Sequence, residues 1–444
     1  MGRLRDRTTA AEAGDLLVTG AAEIVTMAGG LRRGRSQGDV ALLTAAGGAL
    51  AIWVHRGRIE KVGLESDVRF AISAAGVGTD TMPNLDAGGR TVTPGLIDPH
   101  THLLFGGTRE PELALRQSGA GYLEILASGG GILATVQATR AATSDALLEH
   151  GRRWAAEMLS HGVTTAEVKS GYGLDTETEL RLLDVYAQLA EDGSLELVPS
   201  FLGAHAVPRE LATRPDATEA YVQDVIDRQL PAVAKQGVAR FCDIFCERGV
   251  FDAAQSRRVL AAGAALGLRP RLHADEIHDS GGAALAADLG AASADHLAAI
   301  SEAGIDALGS AADRGAAVVA TLLPVTTLYL GSEHYAPARA LIERGVPVAL
   351  GSDFNPGTSP TPNLALVMSI ARVKLGLSAS EALAATTVNA AHAVGLGATH
   401  GAIEAGRVGD LVVWDAPRHE LVPYWIGANL VRSVVKNGRV VRGV

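Results

Sequence analysis

A His-x-His pair is the clearest chemical signal in the sequence. His100 and His102 lie two residues apart, and in an extended backbone such residues point to the same side, so both imidazoles can reach one ion. The pair alone is also a common surface accident, but it follows an apolar run that reads as a strand. His273 and Asp353 supply a third imidazole and a carboxylate. Three His and one Asp suit Zn²⁺ or iron better than Mg²⁺.

Two further residues could move protons beside such an ion. Glu276 comes three residues after His273, and a carboxylate beside a metal-activated water can accept and return a proton. His296, in the segment SADH, could donate to an oxyanion or help to move a proton. The structural alternatives are an exposed loop acid or helix N-terminal charge for Glu276, and a buried core histidine for His296.

These residues fall at the ends of a repeating set of apolar runs, which predicts an α/β fold. Eight short β-branched runs, most followed by an Ala/Leu-rich helical stretch, favour a parallel sheet. Eight such units form a (β/α)₈ barrel, whose reactive groups share one mouth at the C-terminal ends of the strands. An open doubly wound sheet is the alternative, although no G-x-G-x-x-G fingerprint supports it. The runs are 91–98, 163–170, 195–205, 239–247, 268–276, 291–297, 316–324 and 346–353. The predicted helices include 145–160, 176–190, 218–234, 253–266 and 302–312.

The two ends of the chain differ from this middle part. Residues 1–90 and 396–444 read as short strands between Gly-rich turns, with RHELVPYWIG (418–427) among the C-terminal segments. The simplest account is a small β-domain built from both termini, into which a barrel domain of residues 91–395 is inserted. Residues 28–48 read as a loop or an irregular hairpin rich in Arg and Gly.

Composition excludes several classes of protein. The chain has 444 residues, of which 47% are hydrophobic and 20% charged, and a net charge of −10. It can bury a large core, which excludes a disordered or fibrous protein. The acidic balance argues against nucleic-acid and anionic-membrane partners. The two cysteines, Cys242 and Cys246, read as core thiols of a reducing compartment. The start of the chain lacks a signal-peptide pattern and no run is apolar enough to span a bilayer, so we expect a soluble cytoplasmic protein.

The motifs TPGLIDPHTH, HADE, SADH and GSDFNPG, in this order, resemble those of the amidohydrolase superfamily. The resemblance extends from about Asp15 to the C-terminus. It implies a metal-dependent hydrolase on a (β/α)₈ barrel with a small β-sandwich domain formed from both termini. More narrowly, SGGGILATV, EVKSGYGLDTETEL and SDFNPGTSP resemble the members that hydrolyse the cyclic amide C–N bond of 4-imidazolone-5-propanoate. Their product is N-formimidoyl-L-glutamate, formed in the third step of histidine degradation. The Arg/Gly-rich segment departs from the family pattern.

The resemblance also implies a role for each residue of the site, one Zn²⁺ or iron ion per subunit, and a homodimer. The implied metal ligands are His100, His102, His273 and Asp353. The implied catalytic residues are Glu276, His296 and Asp353. The residues implied to hold the substrate are Arg109, Tyr172 and His205, and those implied to contact the ring-opened product are Asn355, Gly357 and Thr358.

The chemistry of that substrate agrees with several of these residues. Arg109 offers a bidentate fork for the propionate carboxylate; the alternative is a surface loop arginine paired with Glu110 or Glu112. Tyr172 lies in SGYG, where the glycines let the backbone present a phenol, although a packed loop tyrosine is the plainer interpretation. The NPGTSP segment could aim backbone N–H groups at an anion or form an ordinary turn.

Lys169 is a separate question, because some amidohydrolases bridge two metals with a carboxylated lysine on strand four. Lys169 ends the second run, and the fourth ends in Cys246-Glu247. We therefore expect a mononuclear site, with Lys169 structural or hydrogen-bonded to the substrate region.

Two other functions compete with the ring-opening hydrolase. A mononuclear aminohydrolase acting on a nucleobase or a similar ring would use the same ligands and Glu276, but would release ammonia. A catalytically dead barrel could serve as a binding or assembly module. That alternative predicts the loss of at least one of the residues named for metal or proton chemistry, and the sequence retains all of them.

Overall fold

The computed structural model describes residues 13–78, 82–119 and 130–443. Residues 1–12, for which we expect no signal peptide, lie outside the described residues. So do Ser128 and Gly129, the first half of the SGGG motif. The described helices include none with the length and apolar composition of a transmembrane span.

The described strands form three sheets. In chain order the strands are β1 (Leu16–Ala21), β2 (Glu23–Val25), β3 (Leu42–Thr44), β4 (Leu50–His55), β5 (Arg58–Leu64), β6 (Asn84–Asp86), β7 (Thr91–Pro94), β8 (Leu96–Asp98), β9 (Val163–Lys169), β10 (Glu196–Ala204), β11 (Phe241–Cys246), β12 (Arg269–Pro270), β13 (Leu272–Ala274), β14 (Ser293–His296), β15 (Val319–Leu322), β16 (Val348–Leu350), β17 (Leu411–Trp414), β18 (Val431–Lys436) and β19 (Arg439–Gly443).

The largest sheet is a parallel barrel in the order β16-β15-β14-β13-β11-β10-β9-β8. Backbone hydrogen bonds close it, because Asp353 N donates to His100 O (3.0 Å) and His102 N donates to Phe354 O (2.8 Å). All eight predicted runs contribute a strand, which confirms the barrel.

The predicted helices lie between the barrel strands, and polar caps mark where several begin. Thr143, Asp175 and Ser301 each accept a backbone N–H three residues on, which satisfies a donor that has no partner within the helix. The helix predicted over 218–234 is interrupted by a π-turn at Val225–Gln229. The helices are α1 (Glu65–Ala74), α2 (Glu110–Gln117), α3 (Ile132–Ala141), α4 (Ser144–Ser160), α5 (Thr176–Glu191), α6 (Ala217–Asp224), α7 (Leu230–Gln236), α8 (Ala253–Ala265), α9 (Gly282–Leu289), α10 (Glu302–Asp313), α11 (Pro324–Tyr329), α12 (Ala338–Glu343), α13 (Leu364–Lys374), α14 (Ala379–Ala385) and α15 (Val388–Ala393).

The first predicted barrel strand, 91–98, is in fact two strands in two different sheets. β7 pairs with β2 and β17, whereas β8 pairs with β9 in the barrel. The junction is Gly95, where a Cβ would lie 2.2 Å from Thr164 Oγ1. Only glycine allows so close an approach to the neighbouring strand. The unbroken apolar run gives no sign of this change of sheet.

Of the two smaller sheets, one is built from the N-terminal part of the chain alone and the other combines strands from both ends. One has the order β5-β4-β1-β6 and the other β19-β18-β17-β7-β2-β3. Val18 and Ile52 of the first pack in one apolar cluster with Ile24, Val92 and Val413 of the second. The division into domains 1–90, 91–395 and 396–444 stays a prediction.

One local expectation was wrong. RHELVPYWIG contains a short 3₁₀ turn, His419–Leu421, and no strand, because its alternating residues lie where the chain crosses between β17 and β18. The segment 28–48 is the irregular hairpin that was one of its two interpretations: β2 and β3 pair antiparallel, and Met27 N donates to Val40 O (3.0 Å). Within this segment Gln37 is fully buried and its Nε2 donates to Val348 O (2.9 Å). The segment therefore covers the start of β16, at the end of the barrel opposite the site. Cys242 and Cys246 are buried and free, as expected.

Candidate metal centre and active site

The donor set (His100, His102, His273 and Asp353) meets at the mouth of the barrel. His100 and His102 follow β8, His273 lies in β13 and Asp353 follows β16. Asp353 Oδ1 lies 3.4 Å from the Nε2 atoms of both His100 and His102. His273 Nε2 lies 3.5 Å from His102 Nε2. The structure thus brings together four side chains that the sequence spreads over about 250 residues.

Two compact groups of these atoms have spacings that fit a bound cation: His100, His102 and Asp353 form one, and His273 joins His102 in the other. Ligand atoms about 2.0–2.2 Å from a tetrahedral Zn²⁺ ion lie about 3.3–3.6 Å from one another. His100 Nε2 is buried and makes no hydrogen bond with any described residue. All four side chains belong to residues that are at most 3% exposed. Three imidazole nitrogens and a carboxylate oxygen are a suitable set for a divalent transition-type metal.

Beneath the donor set lies a buried ionic network (Glu167, Lys169, Asp243, Arg271 and Asp295), every member of which is 0% exposed. Lys169 Nζ lies 2.9 Å from Glu167 Oε1 and 2.7 Å from Asp243 Oδ2. Arg271 Nη2 lies 2.8 Å from Asp295 Oδ2. Burial alone would raise the pKa of Asp243, but the charge of Lys169 helps to hold it well below its usual range. Lys169 lies on the second barrel strand, as predicted, and its amine is engaged by carboxylates.

Glu276 and His296 stand together at the edge of the donor set. Glu276 Oε2 lies 3.7 Å from His296 Nε2. Burial raises the pKa of Glu276 to about 8, and the negative charge of Asp353 adds to this effect. His296 and Asp353 both have positive φ, +74° and +53°. Such backbone strain at non-glycine residues is typical of functional sites, where it aims side chains inward.

Glu247, at the end of the fourth barrel strand, holds the loop that carries Glu276. Its Oε2 accepts a hydrogen bond from Ile277 N (2.9 Å), and its Oε1 lies 3.0 Å from His278 Nδ1. Asp275 fixes the other side of this loop by accepting from Ser280 N (2.9 Å). These contacts restrict the position of the Glu276 carboxyl.

Arg109 is buried beside the site, as a substrate-binding residue would be, and it is also paired with Glu112, as a structural arginine would be. It precedes α2, is 8% exposed, and its Nε lies 3.1 Å from Glu112 Oε2. Glu112 Oε1 in turn accepts from Gly131 N (2.6 Å). Since Glu112 engages Nε, the Nη1 and Nη2 groups are the donors that could reach a ligand carboxylate.

Tyr172 and His205 join the site through their rings. The His205 imidazole stacks on that of His102, with ring centres 5.0 Å apart and 17° between planes. The centre of the Tyr172 ring lies 5.6 Å from that of His102 and 5.4 Å from that of His205. His205 Nδ1 lies 2.9 Å from Gly171 O, which leaves Nε2 as the acceptor nitrogen. Burial lowers the pKa of His205 well below its usual value, so the ring is neutral.

Asn355, Gly357 and Thr358 form one turn after Asp353. Asn355 Oδ1 accepts from Gly357 N (2.9 Å) and Thr358 N (2.8 Å), while its Nδ2 donates to Asp353 O (2.7 Å). Their polar groups therefore bond to each other. A Cβ on Gly357 would lie 1.9 Å from Arg109 Cζ, so this turn forms a wall against the guanidinium.

Several residues around the site have no role in the sequence analysis. Thr326 Oγ1 donates to Asp353 Oδ2 (2.6 Å), which occupies the second oxygen of that carboxylate. One of these residues could have been found from the sequence. Asp243 lies within the apolar strand FCDIFC, and because an unpaired charge is rarely buried, its position predicts a charged partner inside the barrel. The missed residues are Asp243, Glu247, Arg271 and Thr326.

Comparison with known proteins agrees with this geometry. Residues 91–441 match the model of the amidohydrolase family. The imidazolonepropionase of Bacillus velezensis is 46% identical over 431 residues, which cover 96% of this chain and 97% of that protein. The imidazolonepropionase of Symbiobacterium thermophilum is 48% identical over 428 residues, covering 96% and 97%.

Solved structures share the fold at lower sequence identity. A zinc-bound adenosine deaminase from Xanthomonas campestris superposes with a TM-score of 0.67 at 20% identity, covering 97% of this chain and 93% of that one. A triazine hydrolase variant gives a TM-score of 0.69 at 18% identity, covering 97% and 95%. From the family match and these relatives, the chain belongs to the amidohydrolase family, in the branch of the imidazolonepropionases.

Proposed function

We propose that this chain hydrolyses the cyclic amide C–N bond of 4-imidazolone-5-propanoate to give N-formimidoyl-L-glutamate, a step of histidine degradation. The observation that carries the proposal is the convergence of a metal-type donor set with Glu276 and His296, beside a turn that packs on the guanidinium of Arg109. The relatives that are 46–48% identical over nearly the whole chain are named for this substrate.

The donor set would hold one Zn²⁺ or iron ion per subunit. Such an ion supplies Lewis acidity, which polarises a carbonyl and lowers the pKa of water towards neutrality. The residues of the chain do the rest. Two carboxyl groups at the site, those of Asp353 and Glu276, would take the proton of a water that attacks the ring carbonyl carbon.

Glu276 is the residue that moves the proton. The attacking water forms the new C–O bond and gives a proton to the Glu276 carboxylate, and Asp353 assists. His296 Nε2 donates a hydrogen bond to the oxygen that becomes negative. The C–N bond then breaks, and Glu276 returns its proton to the leaving ring nitrogen. A pKa near the working pH suits a group that must both take and release a proton.

Arg109 anchors the propionate, so we expect Arg109→Ala to raise KM about 10–100-fold, the value of one charge-assisted hydrogen-bond pair. Gly357→Ala should act in the same direction, because the new methyl group would occupy the position of the guanidinium. Steady-state kinetics on both variants measure the effect.

Gly78→Ala is the matched control for this pair, since a Cβ at Gly78 has no atom within 4 Å among the described residues. It should leave KM unchanged. If the Arg109→Ala variant had the KM of the wild type, Arg109 would not be a substrate-binding residue.

The decisive test of the function uses purified full-length protein and freshly prepared 4-imidazolone-5-propanoate. We expect the ultraviolet absorbance of the ring to disappear, with N-formimidoyl-L-glutamate as the product and no release of ammonia. Chelation should stop the reaction. Ammonia release from a nucleobase, without turnover of the imidazolone, would favour the aminohydrolase instead.

Three further properties belong to the same proposal. The resemblance supports a homodimer, which sedimentation can measure, and a cytoplasmic location. We propose Tyr172 and His205 as substrate contacts because their rings pack on His102. We propose the turn Asn355–Gly357–Thr358 as a contact of the ring-opened product.

A further inference from the structure

Two of the three histidines of the donor set rest against buried carboxylates. His100 Nδ1 lies 2.7 Å from Asp295 Oδ2, and His273 Nδ1 lies 3.1 Å from Asp243 Oδ1. Asp243 also accepts from His273 N (3.2 Å). Both acids are 0% exposed, so these contacts are shielded from solvent.

The ionic network holds these two carboxylates in place. Lys169 Nζ binds Asp243 at 2.7 Å, and Arg271 Nη2 binds Asp295 at 2.8 Å. Arg271 Nη2 also donates to Pro99 O (2.7 Å), directly before His100. Burying unpaired charges is costly, and here each acid facing a histidine has a cation of its own.

These contacts decide which nitrogen of each imidazole carries the proton and which keeps the lone pair that can bind a cation. A carboxylate already paired with a cation accepts hydrogen bonds, so it favours the imidazole tautomer that carries its proton on Nδ1. In the neutral ring the lone pair is then on Nε2, and the Nε2 atoms are those that face the other members of the donor set. The tautomer needed to bind a cation is therefore favoured before any cation arrives.

We propose that Asp243 and Asp295, anchored by Lys169 and Arg271, are positioning residues that preset His273 and His100 for metal binding. The inference rests on the metal centre of the proposed function. It also assigns a role to Lys169. Because its amine is bound to Glu167 and Asp243, Lys169 acts through His273 and not as a ligand.

His102 provides a contrast within the same site. Its Nδ1 is buried and has no hydrogen-bond partner among the described residues. Its ring is instead held by stacking on His205. The network thus acts on His100 and His273, and the third imidazole is oriented by packing.

The first test measures zinc affinity by competition with a chromophoric chelator, using full-length Asp243→Asn and Asp295→Asn proteins. Loss of such a partner typically weakens metal binding about 10–100-fold, and we expect that change for each variant. Asp410→Asn is the matched control, because Asp410 is a buried acid paired with buried Lys436 at 2.7 Å in the small sheets. Its zinc affinity should equal that of the wild type.

Thermal unfolding of each metal-free protein separates lost stability from lost affinity. The inference is overturned if both network variants fold and bind zinc as tightly as the wild type. Zinc binding by the wild type is a separate result, which tests the proposed metal centre itself.

A second test needs no variant and covers the case in which a variant fails to fold. Nitrogen-15 NMR of the histidines in the metal-free wild-type chain reports the tautomer of each ring. We expect His100 and His273 to carry the proton on Nδ1 before zinc is added. Protonation of either ring on Nε2 alone would contradict the inference, even if the enzyme is active once loaded with metal.

Discussion

Replacing Glu276 by Gln should lower kcat about 10²–10⁴-fold, the range typical of a lost general acid–base residue. Glutamine keeps the size and the hydrogen-bonding capacity of the side chain, but it cannot take a proton from water or return it to the ring nitrogen. Because Glu276 lies 3.7 Å from His296 and outside the donor set, metal content should stay at the wild-type level. Stopped assays on the full-length variant, with elemental analysis of the same sample, measure both quantities.

Glu23→Gln is the matched control for this substitution. Glu23 is also a buried acid, but it lies in the small sheets, where its Oε1 accepts from Thr91 Oγ1 (2.8 Å). The control should keep its kcat, whatever it costs in stability. Undiminished turnover by Glu276→Gln would show that another group transfers the proton, and Asp353 would be the first candidate.

Removing the metal should abolish activity reversibly. The His273→Ala substitution should abolish activity in a way that added metal does not restore. We expect the chelated wild-type protein to regain turnover when Zn²⁺ or Fe²⁺ is restored. The variant keeps three donors, and its metal affinity should fall more than about 100-fold, beyond the effect of losing an outer partner. Elemental analysis and activity during titration with each metal test both statements.

His55→Ala controls for the loss of an imidazole, because His55 pairs with Asp15 in the small sheets, 3.0 Å away. Its metal content and activity should match those of the wild type. A thoroughly chelated wild-type enzyme that still opened the ring would exclude a catalytic metal at the donor set. Two equivalents of metal per chain would contradict the mononuclear site.

The sequence predicted the barrel because its periodicity follows local rules. Each strand is a short apolar run and each helix an amphipathic stretch, and the chain alternates between them eight times. Given the barrel, the position of a residue at a strand end places it at the mouth. This is why His100, His273 and Asp353 could be brought together before any coordinates were known, and the family resemblance supported the same residues.

The contacts that hold these residues could not be predicted in the same way. Lys169 and Asp243 lie on β9 and β11, two strands apart, and they meet only across the interior of the closed barrel. Such a pair depends on strand tilt and on side-chain length, which no local pattern records. For Arg109 the sequence left two interpretations open, because pairing with Glu112 and burial against Gly357 need the folded loops.

The change of sheet at Gly95 also constrains the order in which the molecule can assemble. β7 lies between β2 and β17, so its second partner is synthesised more than 300 residues later. Pairing over such a sequence distance is slow, because a long loop must close first. Until residues 411–414 have been synthesised, β7, the strand that leads into β8 and the His100–His102 pair, has one edge uncovered. The enzyme therefore completes the sheet that supports its first barrel strand late in synthesis, after the rest of the barrel has been made.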